Sequence, residues 1–110
     1  MRKIKFRCWD IVRNKMRGED DLWDIPYNEI FIHTPDQRAL NIMQYTGLKD
    51  KNGKGIYEGD IVEHEYNGKS IRNIVKFEFG AYFAGDFYLY RKRNVIEVIG
   101  NIYENHELLK

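Results

Sequence analysis

The stretch from Met43 to Val62, MQYTGLKDKNGKGIYEGDIV, sets four glycines and two charged turns between short apolar runs at definite spacing. In Asp50-Lys51-Asn52-Gly53 the Asn-Gly pair tolerates positive φ, so the chain can reverse tightly after Leu48. In Ile56-Tyr57-Glu58-Gly59-Asp60-Ile61-Val62 a further glycine permits a sharp turn, and Asp60 is placed to accept bonds from nearby backbone amides as a strand begins. Gly59 must turn the chain between Tyr57 and that strand, so it is expected in a backbone conformation closed to other residues. A Gly-Asp turn followed by a β-branched pair commonly opens a strand in small SH3-like barrels.

Outward toward the C-terminus, Ile61 to Tyr66 is followed by Asn67-Gly68, the strongest short hairpin signal, and then by the run Lys69 to Phe79. Within that run Ile71, Val75, Phe77 and Phe79 share one parity while Ile74 falls on the other. The pattern predicts Val75 and Phe77 in the core, with a β-bulge near Asn73 absorbing the break. Gly80 to Gly85, around Tyr82 and Phe83, leads to an alternating run from Phe87 to Arg93. The last strand is Val95 to Tyr103, with a bend or a close backbone approach at Gly100. Asn105 is expected to cap a short terminal helical turn.

Toward the N-terminus, Ile4, Phe6 and Cys8 alternate with Lys3, Lys5 and Arg7, which predicts a strand with one apolar and one charged face. Arg13 to Asp21 reads as a turn or loop, and Glu29 to His33 as a short strand closed by Pro35. Arg38 to Tyr45 fits either two helical turns or a strand. The expected fold is mainly β with little helix: an N-terminal β subdomain over residues 1–45 packed on a C-terminal SH3-like barrel over residues 46–110.

Three blocks of the chain carry a family resemblance. Met43 to Val62 resembles the signature of the YopX family. Met1 to Asp10, MRKIKFRCWD, is similar to that family's opening strand, with Cys8 where a small residue such as alanine is more usual. Ile96 to Leu109, IEVIGNIYENHELL, is similar to its ending, with His106 where the family often has proline. The middle, Met16 to Ala39, carries little of the likeness. The resemblance implies a strand in the second half of Arg38–Tyr45, a phage or prophage origin, and no defined biochemical role.

Composition limits the function classes. A chain of 110 residues, 43% hydrophobic and 15% aromatic, is one domain with enough apolar material for a modest core. Eighteen basic residues against seventeen acidic leave a net charge of +1, which is not the footprint of a protein that binds by neutralising phosphates. One cysteine excludes an intrachain disulfide and fits a reducing compartment. No apolar run approaches the ~20 residues that span a bilayer, and the N-terminus lacks a signal-peptide apolar core. A soluble protein of the bacterial cytoplasm, with no membrane association, is the expectation.

Residues suited to catalysis do not converge. Gly47, Gly53, Gly55 and Gly59 match neither the phosphate-loop nor the dinucleotide spacing and read as turn formers. His64 between Glu63 and Glu65 is the nearest approach to a metal-ligand set, but strand neighbours point to opposite faces, so all three read as solvated edge residues. Cys8 reads as a small buried hydrophobe, and Asp10, Asp24, Asp36, Asp60 and Asp86 as local caps of turns. No catalytic residue, cofactor or metal is expected. Tyr88, Tyr90, Arg91, Lys92 and Arg93 place cations beside rings suited to stacking on single-stranded nucleic acid or RNA, with Lys49, Lys51 and Lys54 as a second basic cluster. The favoured expectation is instead a non-enzymatic accessory protein acting through protein contacts. It would work as a homo-oligomer or with a phage or host protein, through an apolar strip of Ile99, Ile102, Tyr103, Leu108 and Leu109.

Overall fold

The computed structural model describes residues 4–10, 14–18 and 40–109. Two compact units divide them, one between Ile4 and Gln44 and the other from Tyr45 onward. The chain is mainly β. In the first unit, strand β1 (Phe6–Asp10) pairs antiparallel with β2 (Lys15–Arg17) and with the first half of β3 (Leu40–Lys49). The run read as a turn at Arg13–Asp21 therefore contains a short strand, with Cys8 opposite Arg17 and Asp10 opposite Lys15. The alternation predicted for β1 buries Cys8, but Phe6 is exposed and the buried position beyond Cys8 belongs to Asp10. Asp10 is thus a strand residue rather than a turn cap, and Arg17 Nη1 meets its carboxylate at 3.1 Å. The strand expected at Glu29–His33, with Asp24 and Asp36, lies outside the described residues.

In the second unit the other half of β3 pairs with β4 (Gly55–Tyr57) around the Asp50–Gly53 turn. A five-stranded antiparallel sheet follows, curled into a half-barrel in the order β8-β7-β6-β5-β9. Its strands are β5 (Asp60–Tyr66), β6 (Lys69–Glu78), β7 (Ala81–Ala84), β8 (Phe87–Tyr88) and β9 (Glu97–Asn101). The hairpin at Asn67-Gly68 forms as predicted, both residues having positive φ between Tyr66 and its partner Lys69. Gly59 also adopts positive φ, +85°, and its amide donates to the Val75 carbonyl at 3.0 Å, so the turn before β5 is fastened to β6. Asp60 Oδ2 accepts from the Tyr57 amide at 2.8 Å, as its position in the Gly-Asp turn suggested.

Ile56, Val62, Val75, Tyr82, Ala84, Leu89, Ile96 and Val98 close on one another inside the curl, with Leu48 packed against them. Two core expectations fail. Phe77 stands on the same face as Val75 but is 52% exposed, because β6 there runs past the end of β5 and keeps only β7 beside it. No bulge occurs at Asn73: the β5–β6 register is regular from Tyr66↔Lys69 to Ile61↔Ile74. Ile74 breaks the parity because the outer face of β6 is also covered, Leu109 of the terminal 3₁₀ turn (His106–Leu109) lining a cleft with Ile74 and Phe83. The irregularities lie elsewhere. One is in β3, where Thr46 Oγ1 donates to the Ile56 carbonyl and accepts from the Leu48 amide. The other is in β9, where Ile99 is an extra residue between Val98, opposite Val62, and Gly100, opposite Ile61.

The close approach expected at Gly100 is present, since a Cβ there would lie 2.5 Å from Asn105 Oδ1. That oxygen accepts from the Asn101 amide, so the Asn105 side chain turns back to β9 while its carbonyl starts the 3₁₀ turn through the Leu108 amide. The run Phe87 to Arg93 is a strand for two residues only and then becomes a helical turn, α1 (Leu89–Lys92), which buries Leu89.

These placements assign unequal energetic weight to two apolar side chains. Ile56→Ala, at a fully buried position, is expected to lower stability by about 3 kcal/mol, and Phe77→Ala by less than about 1 kcal/mol. Urea unfolding of the two variants checks this; equal losses would place Phe77 in the core after all.

Candidate functional site: an aromatic cleft beside a strained hairpin

The β6–β7 hairpin closes through two residues, Phe79 and Gly80, since Glu78 pairs with Ala81. Both have positive φ, +53° and +79°, the same type I′ pattern that Asn67-Gly68 makes in the preceding hairpin. Asparagine tolerates the left-handed region, whereas a bulky side chain there is a strained exception. Phe79 is also 96% exposed, so its ring makes almost no contact within its own chain. Strain in the backbone and an apolar ring in water coincide at one residue.

Next to this tip lies a cleft of about 230 Å³. Gly80 and Ala81 form the side nearest the tip, Phe77, Tyr82, Tyr88 and Tyr90 the aromatic walls, and Thr46 and Leu48 of β3 the remainder. Phe77 meets Tyr82 edge to face with centroids 5.0 Å apart, and Tyr88 and Tyr90 lie tilted at 6.2 Å. Phe77, Tyr88 and Tyr90 are each about half exposed, and Phe79 directly precedes the Gly80 that lines the cleft.

Of the five residues proposed for nucleic acid, the structure brings Tyr88 and Tyr90 together in this cleft and leaves Arg91 exposed. Arg93 lies over the Tyr90 ring, 4.0 Å from its centroid, and donates to the Tyr90 carbonyl. Lys92 sits over Phe87 at 5.3 Å. Lys49, Lys51 and Lys54 are all exposed around the β3–β4 turn, with Lys51 4.0 Å from Glu97. The strip proposed for oligomer contact is half-buried at each of Ile99, Ile102, Tyr103, Leu108 and Leu109. Its last two residues are drawn onto β6 of the same chain, where Arg72 Nη1 donates to the Leu108 carbonyl at 3.2 Å.

Three polar side chains of the second unit contact neighbours within the fold. His64 is buried, not a solvated edge residue, because β5 is an interior strand; its ring meets Phe87 edge-on at 4.6 Å. Glu63, on the opposite face, receives Arg72 Nε at 2.7 Å, and that bond together with one from Ser70 holds its carboxyl below the ordinary value. Asp50 engages three backbone amides. Its Oδ1 accepts from the amides of Asn52 and Lys54, and its Oδ2 from the amide of Val98, all at 2.9 Å. Burial by itself would push this carboxyl up, but the three amides, with the Lys54 charge, outweigh it and leave the group below its usual value.

The sequence profile of the YopX protein family matches residues 5–110. The chain belongs to the YopX family. Among solved structures, protein EF1440 from Enterococcus faecalis is similar over 100% of both chains, with 26% identity and a TM-score of 0.74. YopX from Bacillus subtilis is similar over 100% of both chains at 23% identity and a TM-score of 0.59, a likeness of fold alone. No curated protein sequence matches the chain. Among the described residues of this YopX-family protein, no helix is long and apolar enough to cross a membrane.

Sequence reasoning missed Phe77 and Phe79 as surface residues and Tyr82 as a cleft wall. A usable signal was present: Phe79-Gly80 stands between two alternating runs at the two-residue spacing of Asn67-Gly68, but phenylalanine in the asparagine position hides the turn.

The depressed Asp50 carboxyl has a definite sign in stability. A group whose folded value lies below its unfolded value, about 3.9, contributes stability that is full above that value and is lost as pH falls through the folded one. Asp50→Asn sets an amide nitrogen or a shared oxygen against three backbone donors. It is expected to cost about 1–3 kcal/mol at neutral pH and to flatten the loss of stability below about pH 4. Denaturant titrations of both proteins across that range check it; parallel acid limbs would show that Asp50 is not the titrating group.

Proposed function

We propose that this YopX-family chain is a non-enzymatic accessory protein of a phage or prophage. It works in the cytoplasm of the bacterial host, without cofactor, through protein contacts and as a homo-oligomer. The observation that carries the reading is the exposure of Phe77, Tyr88 and Tyr90 around one cleft, with Phe79 at the hairpin tip beside it, on a 110-residue chain. Exposed apolar groups clustered in this way mark contact surfaces, and aromatic residues dominate the energetics of such contacts. The best-buried carboxylates, Asp10, Asp50 and Asp60, are engaged with Arg17 and with turn amides, which favours structural over chemical roles. The terminal strip of Ile99 to Leu109 supports oligomerisation less directly, because its 3₁₀ turn already lies against β6.

A second reading, a weak binder of single-stranded nucleic acid or RNA, draws on the exposed Tyr88 and Tyr90 beside Arg91. It is weakened by Arg93 and Lys92, whose charges lie against rings of their own chain. The readings separate in one experiment. Two differently tagged copies expressed together are expected to co-purify through nuclease treatment, and a Tyr88→Ala/Tyr90→Ala pair to reduce that recovery about tenfold. Copies that part on nuclease digestion would decide for nucleic acid.

A further inference from the structure

Phe79 is the residue of the described surface least explained by its own fold. A two-residue type I′ turn is made most easily by Asn-Gly, as at Asn67-Gly68, and the hairpin at Phe79-Gly80 holds a phenylalanine at +53° with its ring almost wholly in water. The ring does not line the adjacent cleft of its own chain, whose near side is formed by Gly80 and Ala81, the residues that follow it. A knob and a hole therefore lie side by side on one surface.

We propose that the occupant of the cleft is Phe79 of a second copy of this chain, inserted reciprocally about a two-fold axis at the β6–β7 hairpin tips. The inference rests on the protein-contact reading above and names its surface. An isologous interface requires one patch to carry both complementary features, which a knob next to its own hole satisfies. The volumes agree: a cavity of about 150 Å³ accommodates a benzene ring, and this cleft offers about 230 Å³. The walls suit the guest, since Phe77, Tyr82, Tyr88 and Tyr90 line the cleft and offer aromatic edges and faces to an entering ring. The area is sufficient as well. Phe77, Phe79, Tyr88 and Tyr90 leave roughly 500 Å² of residue surface exposed per copy, so a pair that covered all of it would bury about 1,000 Å², the threshold of a specific interface.

The decisive variant is Phe79→Asn in the full chain. It removes the knob and supplies the residue that the turn favours, so loss of association cannot be attributed to misfolding. Sedimentation velocity from about 5 µM to about 500 µM is expected to show a dimer for the unaltered chain and at least tenfold weaker association for the variant. In dilute solution the variant is expected to melt at the same temperature or a few degrees higher. A dimer that persists in Phe79→Asn overturns this assignment alone and leaves the protein-contact reading standing. An unaltered chain that sediments as a monomer throughout overturns both the reciprocal insertion and the homo-oligomer, and leaves the cleft to a foreign peptide or nucleic acid.

Discussion

The second unit depends on one buried carboxylate. Asp50 sits where β3 gives way to β4, and its two oxygens hold three amides from two segments: Asn52 and Lys54 of the turn itself and Val98 of β9, 48 residues away. The Lys51 amide adds a bond to the Ile96 carbonyl, and the Ile102 amide one to the Gly59 carbonyl. These contacts fix the last strand against the turn, and the apolar side chains of Ile56, Ile96 and Val98 then close over the curl. A charged group achieves this because an ionised carboxylate accepts several amide bonds at once, each stronger than a bond between neutral partners.

Those parts of the structure that turn chemistry governs were legible in the sequence. Asn67-Gly68, Gly59 and the Asp60 carboxylate each specify a local backbone geometry through their own side chain or lack of one, and each is found as read. What was illegible depends on distant coverage. Period-two alternation tells which residues share a face, but not where along a strand its neighbours stop, so Phe77 was read into the core that its near neighbour Val75 does occupy. The opposite error arose at Ile74, whose off-parity position was ascribed to a bulge when the terminal 3₁₀ turn covers the outer face of the sheet.

The candidate site shows the same division. Tyr88 and Tyr90 were legible as a pair because they lie close together in sequence, and the cations beside them were seen. The helical turn that carries Tyr90 was not, since the Phe87–Arg93 run alternates like a strand and only burial of Leu89 in the core decides otherwise. Asp50 was recognised as a turn residue, but its bond to Val98 joins segments whose proximity no local pattern encodes. The Phe79 turn was missed because its sequence contradicts the preference of its geometry, which is the kind of conflict that functional positions show.

The arrangement of strands also bears on how another chain could add to the five-stranded sheet. An open sheet offers unpaired backbone groups at both margins, where another chain can add as an extra strand. Here β8 is two residues long and passes directly into a helical turn, so that margin ends before it can serve as a template. On the other margin the Val98 amide and the Ile96 carbonyl are already taken by the β3–β4 turn, and Ile99 interrupts the register of β9. Such bulges and covers are the devices by which β proteins discourage indefinite stacking. Backbone addition is thereby disfavoured at either margin of this sheet, and its face, where side chains and not backbone groups are offered, is left as the surface on which a contact of definite stoichiometry can form.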